Sequence, residues 1–324
     1  MIAISLYNGV KKDMTIRHLR IFIEVAECGK MSLAAERLFI AQPSVSQAIS
    51  EIERHYCIRL FERLSRKLYI TPEGEQMLGY ARHIVALFDE MEKAIQTSRS
   101  SPVKVGATVT VGTCVLSDIV TSFKSLHQDT EVDVFVDNTK KIEEKLLKSE
   151  LDLAVVEGRI SSRELVVEPI MEDNLVLICG EGHPFFHREK VSGEELNGQD
   201  FVLREVGSGT RELFQSYVQS MGYSINERWT CNNSDAIKRA VSCNHGLSVI
   251  SARLVKEESD TGKLHVVEID GCPFNRNFSL VYHKNKYFSE HISSFADTCR
   301  DFLSDMSSVF PRLFTQHRDF LKGL

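Results

Sequence analysis

"AERLFIAQPSVSQAISEIE", residues 35–53, breaks in its middle. Residues 34–38 read as a short helix. Ile40-Ala41-Gln42 then leads into Pro43, and a second apolar rhythm begins at Val45. Val45, Ile49, Ile52 and Tyr56 follow at steps of four, three and four, which is one stripe along one helical face. The second helix therefore opens on polar residues while its stripe points elsewhere. Pro43 suits a first helical turn, where no backbone N–H is needed. Gln42, Ser44, Ser46 and Gln47 can each give and accept hydrogen bonds. Two helices joined this tightly, ahead of a hairpin, make a winged helix-turn-helix. In such modules the first-turn side chains of the second helix meet base edges in the major groove. The competing reading is an αα-hairpin with a solvated face.

Outward from this stretch, helix one covers about Ile16–Glu27, with Leu19, Phe22, Ile23 and Ala26 on one face, and Gly29 stops it. Ser32 is the expected N-cap of helix two, which ends near Leu38. Downstream, RLFERLSRKLYITPEG (59–74) reads as a small β-hairpin around Ser65-Arg66-Lys67. Arg59, Arg63, Arg66 and Lys67 surround only Glu62, a basic cluster suited to phosphates or the minor groove. The formal net charge of the chain is −6, so any nucleic-acid surface is a local patch.

Residues 73–98 follow as one long helix. Met77, Ala81, Ile84, Phe88, Met91 and Ile95 repeat at steps of 4-3-4-3-4, a heptad seam. Sustained over about 26 residues, or roughly 39 Å, such a seam requires a partner helix, and a dimerising role is expected. Thr97-Ser98-Arg99-Ser100-Ser101-Pro102 reads as a linker. From 103 onward strand and helix alternate. VKVGATVTVG is expected as a strand, then a helix at about 114–126, the strand EVDVFVDN, the helix KKIEEKLLKSE and the strand LDLAVVEG. This order implies a parallel sheet with right-handed crossovers. It resumes with DNLVLICG, FVLRE, the helix RELFQSYVQSMG, ERWTCNN, the helix SDAIKRAVSCN and GLSVIS. NFSLVYHK and a helix at about 289–303 close it, so two α/β units are expected.

At 324 residues the chain is too long for one ordinary core. No apolar run approaches the roughly 18 residues of a membrane span, and the N-terminus lacks a secretory pattern. A native start near Met14 would make residues 1–13 an extension. The eight cysteines form no C-x-x-C pair and read as reduced, mostly buried thiols in a cytoplasmic protein. His183 and His187 are spaced by four, but Pro184 between them argues for a turn and no Glu or Cys joins them, so no metal is expected. No nucleophile elbow, P-loop or dinucleotide fingerprint is present. No catalytic residue, cofactor or enzyme activity is therefore expected.

Residues 15–98 resemble the DNA-binding region and linker helix of LysR-type transcriptional regulators. The resemblance rests on LRIFIEVAECG (19–29), AAERLFIAQPSVSQAISEIE (34–53) and LFERLSRKLYITPEG (60–74). Leu60, Phe61, Arg63, Arg66, Ile70, Thr71 and Gly74 match the family's pattern. Ala41 departs from it, because the family usually carries Ser or Thr there to cap the recognition helix. The rest of the chain agrees in order and length with the family's effector domain. The resemblance implies an α/β multidomain fold: an N-terminal winged helix-turn-helix (15–72), a long linker helix for dimerisation (73–101), a periplasmic-binding-protein-like sensor (102–306) and a tail (307–324). The sensor would divide into subdomain I (about 102–175 and 280–306) and subdomain II (about 176–279), with hinge crossings near 174–178 and 278–282.

On that resemblance the partners are double-stranded operator DNA, a small effector and further copies of the chain as a dimer or dimer of dimers, with no membrane. The candidate DNA contacts are Gln42, Pro43, Ser44, Ser46, Gln47, Arg63, Arg66 and Lys67, with Ser46 and Gln47 favoured over Gln42. A ligand should sit at the carboxyl ends of strands beside helix N-termini. That selects Thr108, Thr110, Thr113 and Asn138 on subdomain I, and Ser208, Gly209, Thr210 and Asn233 on subdomain II. Hydroxyls and free N–H groups at helix starts favour an anion, a carboxylate or inorganic oxyanion. The same residues also serve simply as helix caps. The alternative function is a small-molecule binding protein whose N-terminal helices serve only assembly.

Overall fold

The computed structural model describes residues 14–64, 67–96, 102–271 and 274–309. The chain divides into two compact units, residues 1–99 and 100–324. The expected N-terminal extension (1–13), Ser65, Arg66, most of the linker and the residues from 310 onward lie outside the described residues.

The first unit is built from α1 (Ile16–Cys28), α2 (Met31–Arg37), α3 (Gln42–Tyr56), the antiparallel pair β1 (Phe61–Leu64) and β2 (Lys67–Ile70), and α4 (Pro72–Gln96). Leu19, Phe22 and Val25 of α1, Ala34 and Ala35 of α2 and the α3 stripe of Val45, Ile49 and Ile52 close on one core. Gly29 ends α1 at φ +62, with its N–H donating to the Val25 carbonyl. One expectation fails next to it. Ser32 does not cap α2. The chain turns fully at Gly29, so helical hydrogen bonding already begins at the Lys30 carbonyl, and Ser32 lies inside the helix.

Glu53 of α3 anchors the hairpin, because its Oε1 accepts from the backbone N–H of Leu60 at 2.8 Å. Thr71 links the hairpin to α4: its hydroxyl donates to the Arg59 carbonyl at 2.6 Å and accepts from Gly74 N–H at 3.0 Å. Gly74 is required there, since a Cβ would stand 2.5 Å from the Leu60 carbonyl oxygen. Along α4, Ala81 is buried and Met77 packs against the head, while Ile84, Leu87, Met91 and Ile95 are exposed.

The second unit begins with β3 (Val103–Thr108), α5 (Val109–Cys114), α6 (Leu116–Leu126), β4 (Val132–Asp137), α7 (Thr139–Leu147), β5 (Leu153–Glu157) and the long β6 (Leu165–Gly180). It continues with β7 (Lys190–Val191), β8 (Asp200–Arg204), α8 (Gly209–Ser220), β9 (Asn226–Cys231), α9 (Ser234–Ser242), β10 (Ser248–Ser251), α10 (Lys256–Asp260), β11 (Leu264–Ile269), β12 (Asn275–His283) and α11 (Glu290–Val309). β3 pairs in parallel with β4 and β5, as the crossovers require, and β5 pairs antiparallel with β12. The expected strand at 103–112 is corrected. It stops at Thr108, and Val109–Cys114 form a helical turn in which Gly112 seats against Val136. Val109 and Val111 alternate like strand residues, but tertiary packing overrides that weak period.

β6 belongs to both halves of this unit, and the segment entering β12 returns the chain to the first. β6 pairs with β12 up to Asn174, and from Leu175 it pairs with β10 and β11 instead. The return crossing lies at residues 274–276, upstream of the expected 278–282. β12 already pairs with β6 from Asn275, while Phe274 packs in the core of the second half. Subdomain I keeps its core between β3, β5, α6 and α11, and subdomain II around Phe201, Phe214 and Phe274.

Seven cysteines fall within the described residues and none is disulfide-bonded. Only Cys179 and Cys299 are buried, so the expectation of mostly buried thiols is corrected. Cys57 sits exposed at the α3 C-cap, and Cys243 is exposed just after α9. Among the described residues no helix is long and apolar enough to cross a membrane.

Candidate functional site

Two regions carry the candidate residues. In the head, α3 begins at Gln42 with Ala41 in the cap position, at φ −71 and ψ 138. No side chain caps this helix start. The Ala41 carbonyl accepts from Ser44 N–H at 2.9 Å, so helical bonding begins on schedule without the cap. Gln42, Pro43, Ser44 and Gln47 are exposed, and Ser46 is half-buried. Gln47 is held rather than loose: its amide donates to Glu51 at 2.9 Å, and the other Glu51 oxygen meets His18 at 2.9 Å. The same exposed face continues through Ser50 and Arg54, which sequence reasoning missed. Their signal was available, since they lie opposite the Val45–Ile49–Ile52 stripe. Arg63 is exposed on β1, its guanidinium 3.8 Å from the Met31 sulfur. Lys67 opens β2 opposite Leu64, and Arg66 lies outside the described residues.

In the second unit, the strand ends of the two subdomains face each other. Thr108, Thr110, Ser208 and Thr210 are all at most 3% exposed. Thr108 is committed to the fold, its hydroxyl accepting from Glu157 N–H at 3.1 Å. Asn138 and Asn233 cap α7 and α9, accepting from Lys141 and Ala236 N–H respectively, and Asn233 is exposed. Thr113 is exposed, and its hydroxyl donates back to the Val109 carbonyl. It lines a cavity of about 560 Å³ with Cys114, Lys238 and Arg253. The structure thus brings together Thr108, Thr110, Ser208, Gly209 and Thr210, and leaves Thr113 and Asn233 in solvent-facing positions.

What joins the two sides is a residue that sequence reasoning missed. Arg276 of β12 is buried. Its Nε donates to Asp173 Oδ2 at 2.8 Å, Nη1 to the Thr210 hydroxyl at 2.8 Å and Nη2 to the Thr110 hydroxyl at 3.4 Å. One guanidinium therefore touches both subdomains from the hinge. Asp173 is also approached by Arg253 at 3.6 Å and accepts from Ser251 at 2.6 Å. Arg204, at the end of β8, is paired with Glu205 through two hydrogen bonds of 2.8 and 2.9 Å. Burial pushes the Glu205 carboxyl up, but the Arg204 hydrogen bond and charge outweigh it and hold the carboxyl below its usual range. Glu157, at the end of β5, is 2% exposed, and burial drives its carboxyl above the ordinary range despite Arg276, Thr110 and Arg204 nearby. Cys114 is pushed up to about 12 by burial, which leaves it a neutral thiol. Among the described residues, no group of three or more metal-ligating side chains could hold an ion.

The subdomains also touch directly. A Cβ on Gly209 would stand 2.6 Å from the Gly158 Cα, and the Gly209 N–H donates to Thr139 at 3.2 Å. Lys140 N–H donates to the Gly207 carbonyl at 3.2 Å. The two halves are therefore closed on each other, with Arg276 and Glu157 inside.

Comparison with known proteins places both regions. Residues 16–75 match the model of the bacterial regulatory helix-turn-helix protein, lysR family, and residues 96–304 match that of the LysR substrate binding domain. The HTH-type transcriptional activator CmpR of Synechocystis sp. is 27% identical, across 88% of this chain and 95% of its own length. Among solved structures, a full-length OxyR from Pseudomonas aeruginosa superposes with a TM-score of 0.61 at 20% identity, covering 89% of this chain and 95% of that one. The regulatory domain of Synechocystis PCC6803 CcmR in complex with 2-PG gives 0.60 at 24% identity, covering 63% and 98%.

Proposed function

The chain belongs to the LysR family of transcriptional regulators, and from that membership we propose that it reads operator DNA with α3 and the basic hairpin under control of a small anion bound between its sensor subdomains. The observation that carries the effector reading is Arg276, whose guanidinium bridges the hydroxyls of Thr110 and Thr210 from opposite sides of the cleft. Neutral hydroxyls are weak partners for a buried guanidinium. A carboxylate or oxyanion entering the cleft would give the guanidinium a planar, oppositely charged partner, and the Thr110 and Thr210 hydroxyls would donate to the same anion. Ser208 and Gly209, at the start of α8, supply a further polar edge. The complex of the CcmR regulatory domain with 2-PG supports a small ligand in this kind of domain. In the head, Gln42, Pro43, Ser44, Ser46 and Gln47 serve as the base-reading edge, and Arg63, Arg66 and Lys67 as phosphate contacts. The protein acts without catalysis, in the cytoplasm, as a dimer or dimer of dimers joined through α4. Its functional divisions are those expected at 15–72, 73–101 and 102–306.

Titration calorimetry with sulfate, glycolate and 2-PG tests the effector site. A Thr110→Val, Thr210→Val double variant should lose affinity by about tenfold or more, since a lost hydrogen bond to a charged partner costs about 1.5–3 kcal/mol. Unchanged binding in that variant would remove the site.

A further inference from the structure

Glu157 is the group the effector reading does not yet use. It sits at the carboxyl end of β5, where its backbone is fixed by the hydroxyls of Thr108 and Thr139. Its Oε2 is fully buried and has no hydrogen-bond partner among the described residues. A buried polar atom left unpaired costs about 1–3 kcal/mol, so a carboxyl oxygen held open beside an inter-subdomain arginine calls for a partner that arrives from outside.

The charges around it decide what that partner is. From β12 comes Arg276, and from the end of β8 comes Arg204, already paired with Glu205. β6 supplies Asp173, and the turn at Ala252–Leu254 supplies Arg253, both within the Arg276 cluster. α5 offers the Thr110 hydroxyl and the neutral Cys114. α7 presents Thr139, with Lys140 exposed, and Arg211 of α8 is spent on Glu227. With an ionised Glu157, the buried set of Glu157, Asp173, Arg253 and Arg276 is already neutral. An entering monoanion would then leave one uncompensated negative charge, and a dianion two, in a site with little water, which is strongly unfavourable.

Resting on the effector reading above, we propose that Glu157 couples effector binding to proton uptake: it is neutral when an anion is bound, donates its proton from Oε2 to that anion, and admits anions in preference to ligands carrying an ammonium group. The proton comes from solvent on closure. Burial already biases the carboxyl toward its neutral form, in the direction the proposal needs. The sign follows. Binding selects the protonated carboxyl, so above the carboxyl's pKa in the free protein each further unit of pH adds the cost of supplying one proton. Affinity for an anion of fixed charge falls with rising pH, by about tenfold per unit when one proton is fully coupled.

The test is calorimetry on the full chain with sulfate and glycolate, whose charges are constant between about pH 6 and about pH 8. Titrations in two buffers of different ionisation enthalpy count the protons taken up. Wild type should take up protons, approaching one per ligand toward the alkaline end, and lose affinity as pH rises. Glu157→Gln should take up none and show a flat profile. Buffer-independent, pH-flat binding by wild type would overturn the proposal while leaving the anion site standing, and it needs no variant to fold. Glycine binding more tightly than glycolate would also overturn it, by assigning Glu157 an ammonium partner. Failure of every anion to bind at either pH would instead remove the effector reading, and the proposal with it.

Discussion

Single residues decide how well each site works, and Ala41 shows the scale. It occupies the N-cap of α3 in extended geometry, with no side chain closing the helix start. Its φ and ψ suit serine, so Ala41→Ser should stabilise the head by about 1 kcal/mol. Thermal unfolding would show a rise of a few degrees, and no rise would mean the free N–H groups are already satisfied. In the sensor, the residues of the proposed site were unequally legible. Thr110, Ser208 and Thr210 were legible as hydroxyls at strand ends. Arg276 and Glu157 were not, because a lone charge beside an apolar run looks the same in sequence whether it faces water or its own kind. The available hint was placement: Glu157 ends the buried run LAVVE, and Arg276 lies two residues before the buried run FSLV.

At the scale of elements, periodicity was a good guide where one face is buried and a poor one elsewhere. The α3 stripe and the parallel β3–β4–β5 order follow from it directly. The short helix α5 was masked by alternating valines. The first half of β6 was missed too, because its burial alternates weakly before the continuous apolar run begins. Two helical glycines give a paired prediction. Gly209 abuts Gly158 across the closed cleft, whereas nothing lies within 4 Å of a Cβ placed on Gly79 in α4. Gly209→Ala should wedge the subdomains, lowering stability by about 1–3 kcal/mol through overpacking. Gly79→Ala should be neutral or gain up to about 1 kcal/mol from helix propensity. Urea denaturation of both variants measures the contrast. Equal effects would mean that the cleft yields freely at that contact.

For the whole molecule, the proposed assembly through α4 rests on its exposed apolar seam. Met77 and Ala81 of its heptad seam serve the head, while Ile84, Met91 and Ile95 stand 47%, 47% and 77% exposed, far more than a lone helix should leave to water. Ile84→Lys with Met91→Glu should convert the assembly to monomers in sedimentation velocity and weaken operator binding steeply, since two linked heads bind through effective concentration. An unchanged mass would place the interface elsewhere. The hinge carries a different consequence. The chain leaves subdomain I after Asn174 and returns at Asn275, and these two residues are register partners. The next pair inward is closed by a 3.0 Å bond from Leu175 N–H to the Phe274 carbonyl. Topologically, everything between is one loop of a hairpin that happens to contain a folded lobe. A segment joined through a single paired doorway can be lengthened, redesigned or exchanged for a different lobe without shifting the register of the sheet that carries it. The lobe's side of the proposed ligand cleft can therefore vary while the side carried by the sheet stays fixed.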